Sequence, residues 1–379
     1  MKIAEVVAVF PPYFAGMGNA CLRYSEELVK LGHDVEVYTS NYPHTPYSYP
    51  DGLTVHRLQH QFKYGNAPLL LGLFRIKAVD LIHLHYPFYF GAEITYIVSK
   101  LRKIPYVVTY HMDIKGTGFL RHIFRLHKKL LFRTIMNGAR QIYVGSSDFG
   151  LHSDLAYIKS IRDRIIEIPF GVDVERFKPL PPSLEIRTTL GLSPNDRVVM
   201  FIGQLDRPHY SKGIPVLLEA FSQIRQPGVK LVIVGGGDLQ PSYAIQAHRL
   251  GIQDDVLFAG SVDNDHLNEY ISIATFTVLP SLEESFGMVL LESQSAGKCV
   301  IATNLPGVRA VVEENRDGLL VEPNNAKALG DKIKKLLAEP ELVQLFGENG
   351  RRKVESRYTW RTTTGLLAAN FMTVVDKGL

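Results

Sequence analysis

Glu284 and Glu292, with seven residues between them, stand in PSLEESFGMVLLESQSAG, residues 280–297. The apolar run ending at Leu279 reads as a buried strand, Pro280 and Ser281 as a turn, and residues 286–296 as a helix. Glu284 then sits on the loop ahead of the helix, and Glu292 lies roughly 12 Å further along at about 1.5 Å per residue. The unpaired amides of Ser285, Phe286, Gly287 and Met288 fall between them, where free N–H groups and the helix dipole favour phosphate. A ligand carrying a sugar, a diphosphate and a ribose in line would match that order, because carboxylates accept well from paired hydroxyls. Two glutamates alone suit a helix start and a solvated helix face just as well. Their setting in strand, loop and helix is what favours a ligand.

Other loops after strands carry similar chemistry. Gly16 and Gly18 follow the first apolar run and open a helix, so the backbone there can approach phosphate or sugar closely. They do not form a dinucleotide fingerprint, since Cys21 occupies the place of a third small residue and Ser40 and Asn41 stand where an acidic residue is needed. Gly235 and Gly236 close a later strand and suit close approach to a nucleotide, although turn geometry also explains them. His111 stands just after the strand at 106–110, with Asp113 just beyond as a second candidate. Asp263, Asn264 and Asp265 precede a helix over 267–273 and read as N-caps rather than metal ligands. His56, His60, His83 and His85 lack metal-ligand spacing. No metal or cofactor is required on this reading; magnesium is compatible with a donor diphosphate but is not predicted.

These loops need a scaffold. Short apolar runs at 3–9, 35–39, 81–84, 106–110 and 141–144 alternate with helical periods, the rhythm of a doubly wound parallel α/β sheet. The alternation restarts at 198–202 and continues at 230–234, 256–258, 275–279, 299–302 and 318–321. The expected organisation is a Rossmann-like domain at 1–168, a proline-rich linker at 169–196 and a second such domain at 197–359. A final helical stretch at 360–379 could pack back on the first. Ligands of such sheets bind beyond the carboxyl ends of the strands, in a cleft where two sheets face each other.

Composition narrows the setting. Cys21 and Cys299 are the two cysteines and lie far apart, which excludes a disulfide framework and suits a reducing, cytoplasmic compartment. The amino-terminal apolar run is too short to span a membrane and is broken by Pro11 and Pro12. Residues 1–168 hold 20 Lys and Arg against 13 Asp and Glu, whereas the rest holds 22 against 25. The basic excess therefore belongs to the first half. Residues 121–133, RHIFRLHKKLLFR, place Arg121, Arg125, Lys128, Lys129 and Arg133 among apolar residues on a helical period. Such a helix could lie on an anionic membrane surface at the inner face, or bury an ordinary apolar stripe. Nucleic-acid binding is not expected, because no recognised motif accompanies the charge.

Taken together, the motifs resemble those of the retaining glycosyltransferase family four, of group 1 type, whose members have the two-domain GT-B fold. The resemblance rests on Glu284 and Glu292 as an E-x7-E pair, PPYFAGMGNA near the start, VVTYHMD at 107–113, IPFGVDVERFKP at 168–179, FIGQLDRPHYSKG at 201–213, VGGGD at 234–238 and AGKCVIATNLPGVRAVV at 296–312. It implies a hexosyltransferase using a nucleotide-sugar donor, either a UDP-sugar or GDP-mannose, and a lipid-linked or polysaccharide-precursor acceptor. Lys212 corresponds to the lysine that holds the donor pyrophosphate, and a compact ammonium suits that task. His111 corresponds to the histidine contacting the transferred sugar, with Asp113 nearby as an acceptor-side candidate. Where the family often has an arginine after the glycine of this motif, here Gly203, the chain has Gln204; Arg207 is the expected substitute. The rival readings are a sugar phosphorylase or nucleotide-sugar epimerase of the same fold, a non-catalytic nucleotide-sugar-binding protein, and a nicotinamide dehydrogenase, the last disfavoured by the broken fingerprint. Oligomeric state is not legible.

Overall fold

A computed structural model describes residues 1–12, 16–41, 47–64, 67–114, 127–224 and 226–376, without the side chains of residues 64, 128 and 129. The chain divides into two compact units, Met1–Gly171 with Trp360–Leu379, and Val172–Thr359.

In the first unit, β1 (Lys2–Val6), β2 (Asp34–Ser40) and β3 (Leu53–Leu58) precede a small antiparallel pair, β4 (Phe62–Tyr64) and β5 (Ala67–Leu69). Then come β6 (Leu81–Tyr86), β7 (Tyr106–Tyr110), β8 (Ile142–Val144) and β9 (Ile165–Glu167). The main sheet runs β3-β2-β1-β6-β7-β8-β9 with every pairing parallel. A parallel strand covered on both faces must be apolar throughout, and β6 and β7 are buried along their whole lengths. Two histidines inside β6 are the exception to its apolar sequence. The carboxyl-terminal helix Trp360–Asp376 packs on helix Gly16–Lys30, with Trp360 edge-on to the buried Tyr24 at 5.1 Å.

The second unit holds β10 (Arg197–Ile202), β11 (Val229–Val234), β12 (Val256–Gly260), β13 (Phe276–Leu279), β14 (Cys299–Thr303) and β15 (Gly318–Val321). Their order is β12-β11-β10-β13-β14-β15, again all parallel. Strand order reverses between β10 and β13, so the loops leaving these two strands flank the crevice where open α/β sheets take ligands.

Residues 169–196 differ from the expected linker. From Val172 onward they belong to the second unit and include a helix, Leu184–Thr189, capped by the Ser183 hydroxyl. Prolines remove backbone donors, yet the remaining carbonyls are well used: Ser295 Oγ and Arg351 donate to Phe177, and Asn268 Nδ2 donates to Lys178. That anchoring makes the segment part of the domain. The helix after β13 also starts later than expected, at Met288, because Gly287 takes a left-handed φ of 88°. Ser285 and Phe286 consequently lie in the loop, and the Phe286 ring is buried against Tyr358 at 6.2 Å.

Candidate active site

The two loops at the β10/β13 crevice are joined to each other. Leu282 N–H donates to Ser211 O at 2.6 Å. Gly213 adopts φ 76°, and a Cβ there would sit 2.0 Å from the Pro280 carbonyl oxygen. Glycine at this position therefore lets one loop close on the other, and the residue before it is delivered to the second loop. Lys212 Nζ donates to Glu284 Oε2 at 2.6 Å, with the side chains 25% and 13% exposed. Glu284 Oε1 accepts from the Ser285 amide at 3.2 Å, so one of the amides expected for phosphate is already engaged by the carboxylate.

Glu292 lies within helix Met288–Ser295 and is partly buried. No hydrogen bond to its carboxylate occurs among the described residues. Burial pushes its carboxyl up to about 7, partly opposed by the Arg176 guanidinium. Arg176 itself lies 5.3 Å over the Phe177 ring, with Nη2 3.1 Å from Asp265 Oδ1. Asp263 caps the short helix Asn264–His266, which accounts for the Asp-Asn-Asp run.

The glycines divide by what fills the space beside them. A Cβ on Gly235 would lie 1.9 Å from Gly203 O, and one on Gly236 2.3 Å from Ser261 Oγ. At Gly18 the Val9 carbonyl oxygen would be 2.7 Å away. These three let the chain pass close to itself. Gly203 is tighter than ordinary only against the Phe201 ring, at 3.0 Å, and Gly16 has nothing within 4 Å among the described residues. Of the glycines expected to admit a ligand, Gly16 is the one with open space beside it among the described residues. Arg207 begins the short helix Arg207–Lys212 and pairs with Asp238 at 3.1 Å, its side chain 83% exposed.

In the first unit, His111 follows β7 and is 7% exposed, its ring stacked on Phe170 at 5.1 Å and its amide bonded to Tyr86 O. Its Nε2 lies 2.9 Å from His85 Nδ1, whose Nε2 lies 2.9 Å from Glu5 Oε2; His83 Nδ1 is 2.8 Å from the same oxygen. Sequence reasoning missed this chain. Its signal was a glutamate within the apolar first strand and two histidines within an equally apolar β6. Asp113 is held by the Tyr110 hydroxyl at 2.6 Å and the Asp154 amide at 3.0 Å, contacts that fix it in place within its own unit. Arg121 and Arg125 lie outside the described residues, as do the side chains of Lys128 and Lys129. Arg133 is exposed beside Leu130 and Leu131, 56% and 46% exposed, while Phe132, Ile135 and Met136 are buried.

Two family models match the chain, Glycosyltransferase Family 4 over residues 14–176 and Glycosyl transferases group 1 over residues 183–353. The chain belongs to the group 1, family 4 glycosyltransferases. It is a hexosyltransferase with the two Rossmann-like domains of the GT-B fold. The O-antigen chain mannosyltransferase C of Escherichia coli is 26% identical over 95% of either chain. Among solved structures, sucrose-phosphate synthase from Thermosynechococcus elongatus superposes with a TM-score of 0.82 at 24% identity, covering 99% of both chains. Anabaena HepE, in complex with UDP and glucose, gives 0.79 at 20% identity, covering 98% of this chain and 99% of the other. The glycosyltransferase thus carries its Lys212–Glu284 pair at the topological switch of its second domain.

Proposed function

We propose that this glycosyltransferase moves a hexosyl group from a UDP-sugar or GDP-mannose to a lipid-linked or polysaccharide-precursor acceptor, with retention at the anomeric carbon. The Lys212–Glu284 pair beside the start of helix Met288–Ser295 carries the reading. Lys212 holds the donor diphosphate and neutralises the charge that grows as it leaves, with Arg207 as an auxiliary cation from the same loop. Glu284 accepts from sugar hydroxyls and Glu292 from the ribose hydroxyls, which would supply the carboxylate with the partners it lacks. The amides of Phe286, Gly287 and Met288 and the space beside Gly16 serve the diphosphate and sugar, and His111 meets the sugar. The acceptor oxygen attacks the anomeric carbon on the face from which the diphosphate departs. Its proton passes to the departing phosphate oxygen as the carbon–oxygen bond breaks. The UDP and glucose bound by HepE and the mannosyl transfer named for the O-antigen relative support the donor classes. Product analysis with labelled donors decides: an intact hexose must appear on an acceptor, and release as sugar phosphate or as an epimerised nucleotide-sugar would refute transfer.

The exposed Leu130 and Leu131 beside Arg133 support docking of the first domain on an anionic membrane surface from the cytoplasmic side. No helix among the described residues is long and apolar enough to cross a membrane. Flotation with phosphatidylglycerol vesicles tests the docking. Binding that survives Leu130→Ser with Leu131→Ser would overturn it.

A further inference from the structure

Glu5, His83 and His85 are all 0% exposed, a costly place for a carboxylate unless it is paired. They come from adjacent strands, with Glu5 opposite His83 in the β1/β6 register and His85 opposite Thr109 in the β6/β7 register. Thr109 Oγ1 lies 2.6 Å from His83 Nε2. Cys21 also contributes a ligand-type atom to the cluster, within 4.8 Å of those of Glu5 and His85. Burial and the Glu5 charge push that thiol well up, and Glu5 Oε2 is already occupied by two imidazoles. The cluster is therefore a hydrogen-bonded chain whose far end is His111.

Proton accounting along the chain has one solution. Burial alone would raise the Glu5 carboxyl, but His83 and His85 outweigh it and hold the carboxyl down to about 2, so Glu5 only accepts. His85 Nε2 must then carry a hydrogen. Burial, with the neighbouring His83, lowers His85 to about 4, so its ring is neutral near pH 7 and Nδ1 holds a lone pair. The contact at 2.9 Å requires His111 Nε2 to be the donor. Burial and the nearby His85 and His83 keep His111 neutral as well, which leaves the lone pair on Nδ1. No partner for that atom occurs among the described residues.

We propose that Glu5 and His85 are positioning residues that lock His111 as its Nε2–H tautomer, so that Nδ1 presents an acceptor to a hydroxyl of the bound sugar. The consequence for transfer rests on the reading of His111 as the sugar-contacting residue; the tautomer does not.

Nitrogen-15 correlation spectra of the full chain, with the His111 signals assigned by their loss in His111→Gln, read the tautomer directly. The expected pattern is an unprotonated Nδ1 and a protonated Nε2. A protonated Nδ1 overturns the lock. Glu5→Gln replaces an obligate acceptor by a group that can also donate. It should release the second tautomer at His111 and lower kcat about 10- to 100-fold, by analogy with the loss of outer-shell partners of metal-ligating histidines. Nucleoside diphosphate affinity should stay unchanged, and Glu5→Asp should recover part of the loss. If Glu5→Gln shifts the tautomer while turnover is unaltered, the lock stands and the sugar-contact role of His111 fails. If the wild-type tautomer is reversed while His111→Gln abolishes transfer, the lock fails and that role stands.

Discussion

The two domains handle charge in opposite ways. In the first, the Glu5 carboxylate is sealed from solvent and its Oε2 atom is in contact with two imidazoles. In the second, Lys212 and Glu284 remain partly exposed, and Glu292 is partly buried with no hydrogen bond to its carboxylate among the described residues. A buried hydrogen-bonded chain orients its members, whereas a part-exposed pair can gain from a ligand that completes it. The contrast sets a fixed hydrogen-bonded chain in the first domain against a part-exposed ion pair in the second.

The harshest challenge to that division is Lys212→Ala. On the proposed reading it removes the cation from the departing diphosphate, and it leaves Glu284 without its ion-pair partner. Turnover is expected to fall on the order of 100- to 1,000-fold, the scale for losing one electrostatic donor at a developing charge. Steady-state kinetics with a labelled donor checks this, and a loss under ten-fold would break the comparison.

Backbone closure comes next. Gly213→Ala and Gly235→Ala would each force a Cβ within about 2 Å of a carbonyl oxygen at a positive φ. Each is expected to lower stability by roughly 2–4 kcal/mol, read by denaturant unfolding of the isolated variants. Gly236→Ala meets the hydroxyl end of Ser261 instead and should cost less.

Glu292 sharpens the contrast through pH. Its carboxyl is raised in the fold, so the neutral form is favoured there, and that contribution is complete below the ordinary carboxyl range. It is lost as pH rises from the unfolded value through about 7. Glu292→Gln, which cannot ionise, should therefore be more stable than wild type at pH 8, by up to about 3 kcal/mol, with the gap closing towards pH 5. The same variant should bind nucleoside diphosphate more weakly, since an amide oxygen accepts less well from paired hydroxyls than a carboxylate. Thermal melts across pH and calorimetric titration measure both.

The smallest effects belong to the open positions. Arg207→Ala breaks only an exposed pair and should change stability by less than about 1 kcal/mol. Gly16→Ala has room for its methyl and should leave the melting temperature unchanged, while Gly18→Ala should not.

Much of this was legible in the sequence, and the gaps have physical causes. Alternating apolar runs and helical periods disclosed both parallel sheets, because strands buried on two faces cannot hide their composition. Lys212 and Glu284 were recognisable as candidates, but their direct contact depends on Gly213 closing onto Pro280, a backbone event with no signature of its own. Residues 169–196 looked like a linker because proline density mimics one, and the side chains that anchor it come from about 90 to 175 positions away. Phe286 fitted a helical apolar pattern, yet the left-handed Gly287 ended that option. Glu5 showed itself only as a charge in a strand. Its partner His85 stands 80 residues on, and no periodicity links them.

The most direct test is release of nucleoside diphosphate from a panel of UDP-sugars and GDP-mannose by wild type and Glu284→Gln, with binding of the free nucleoside diphosphate followed in parallel. The account requires wild-type turnover with at least one donor, and a variant that binds the diphosphate as well as wild type while turnover collapses. Equal turnover in the two proteins, or no donor bound by wild type, would contradict it.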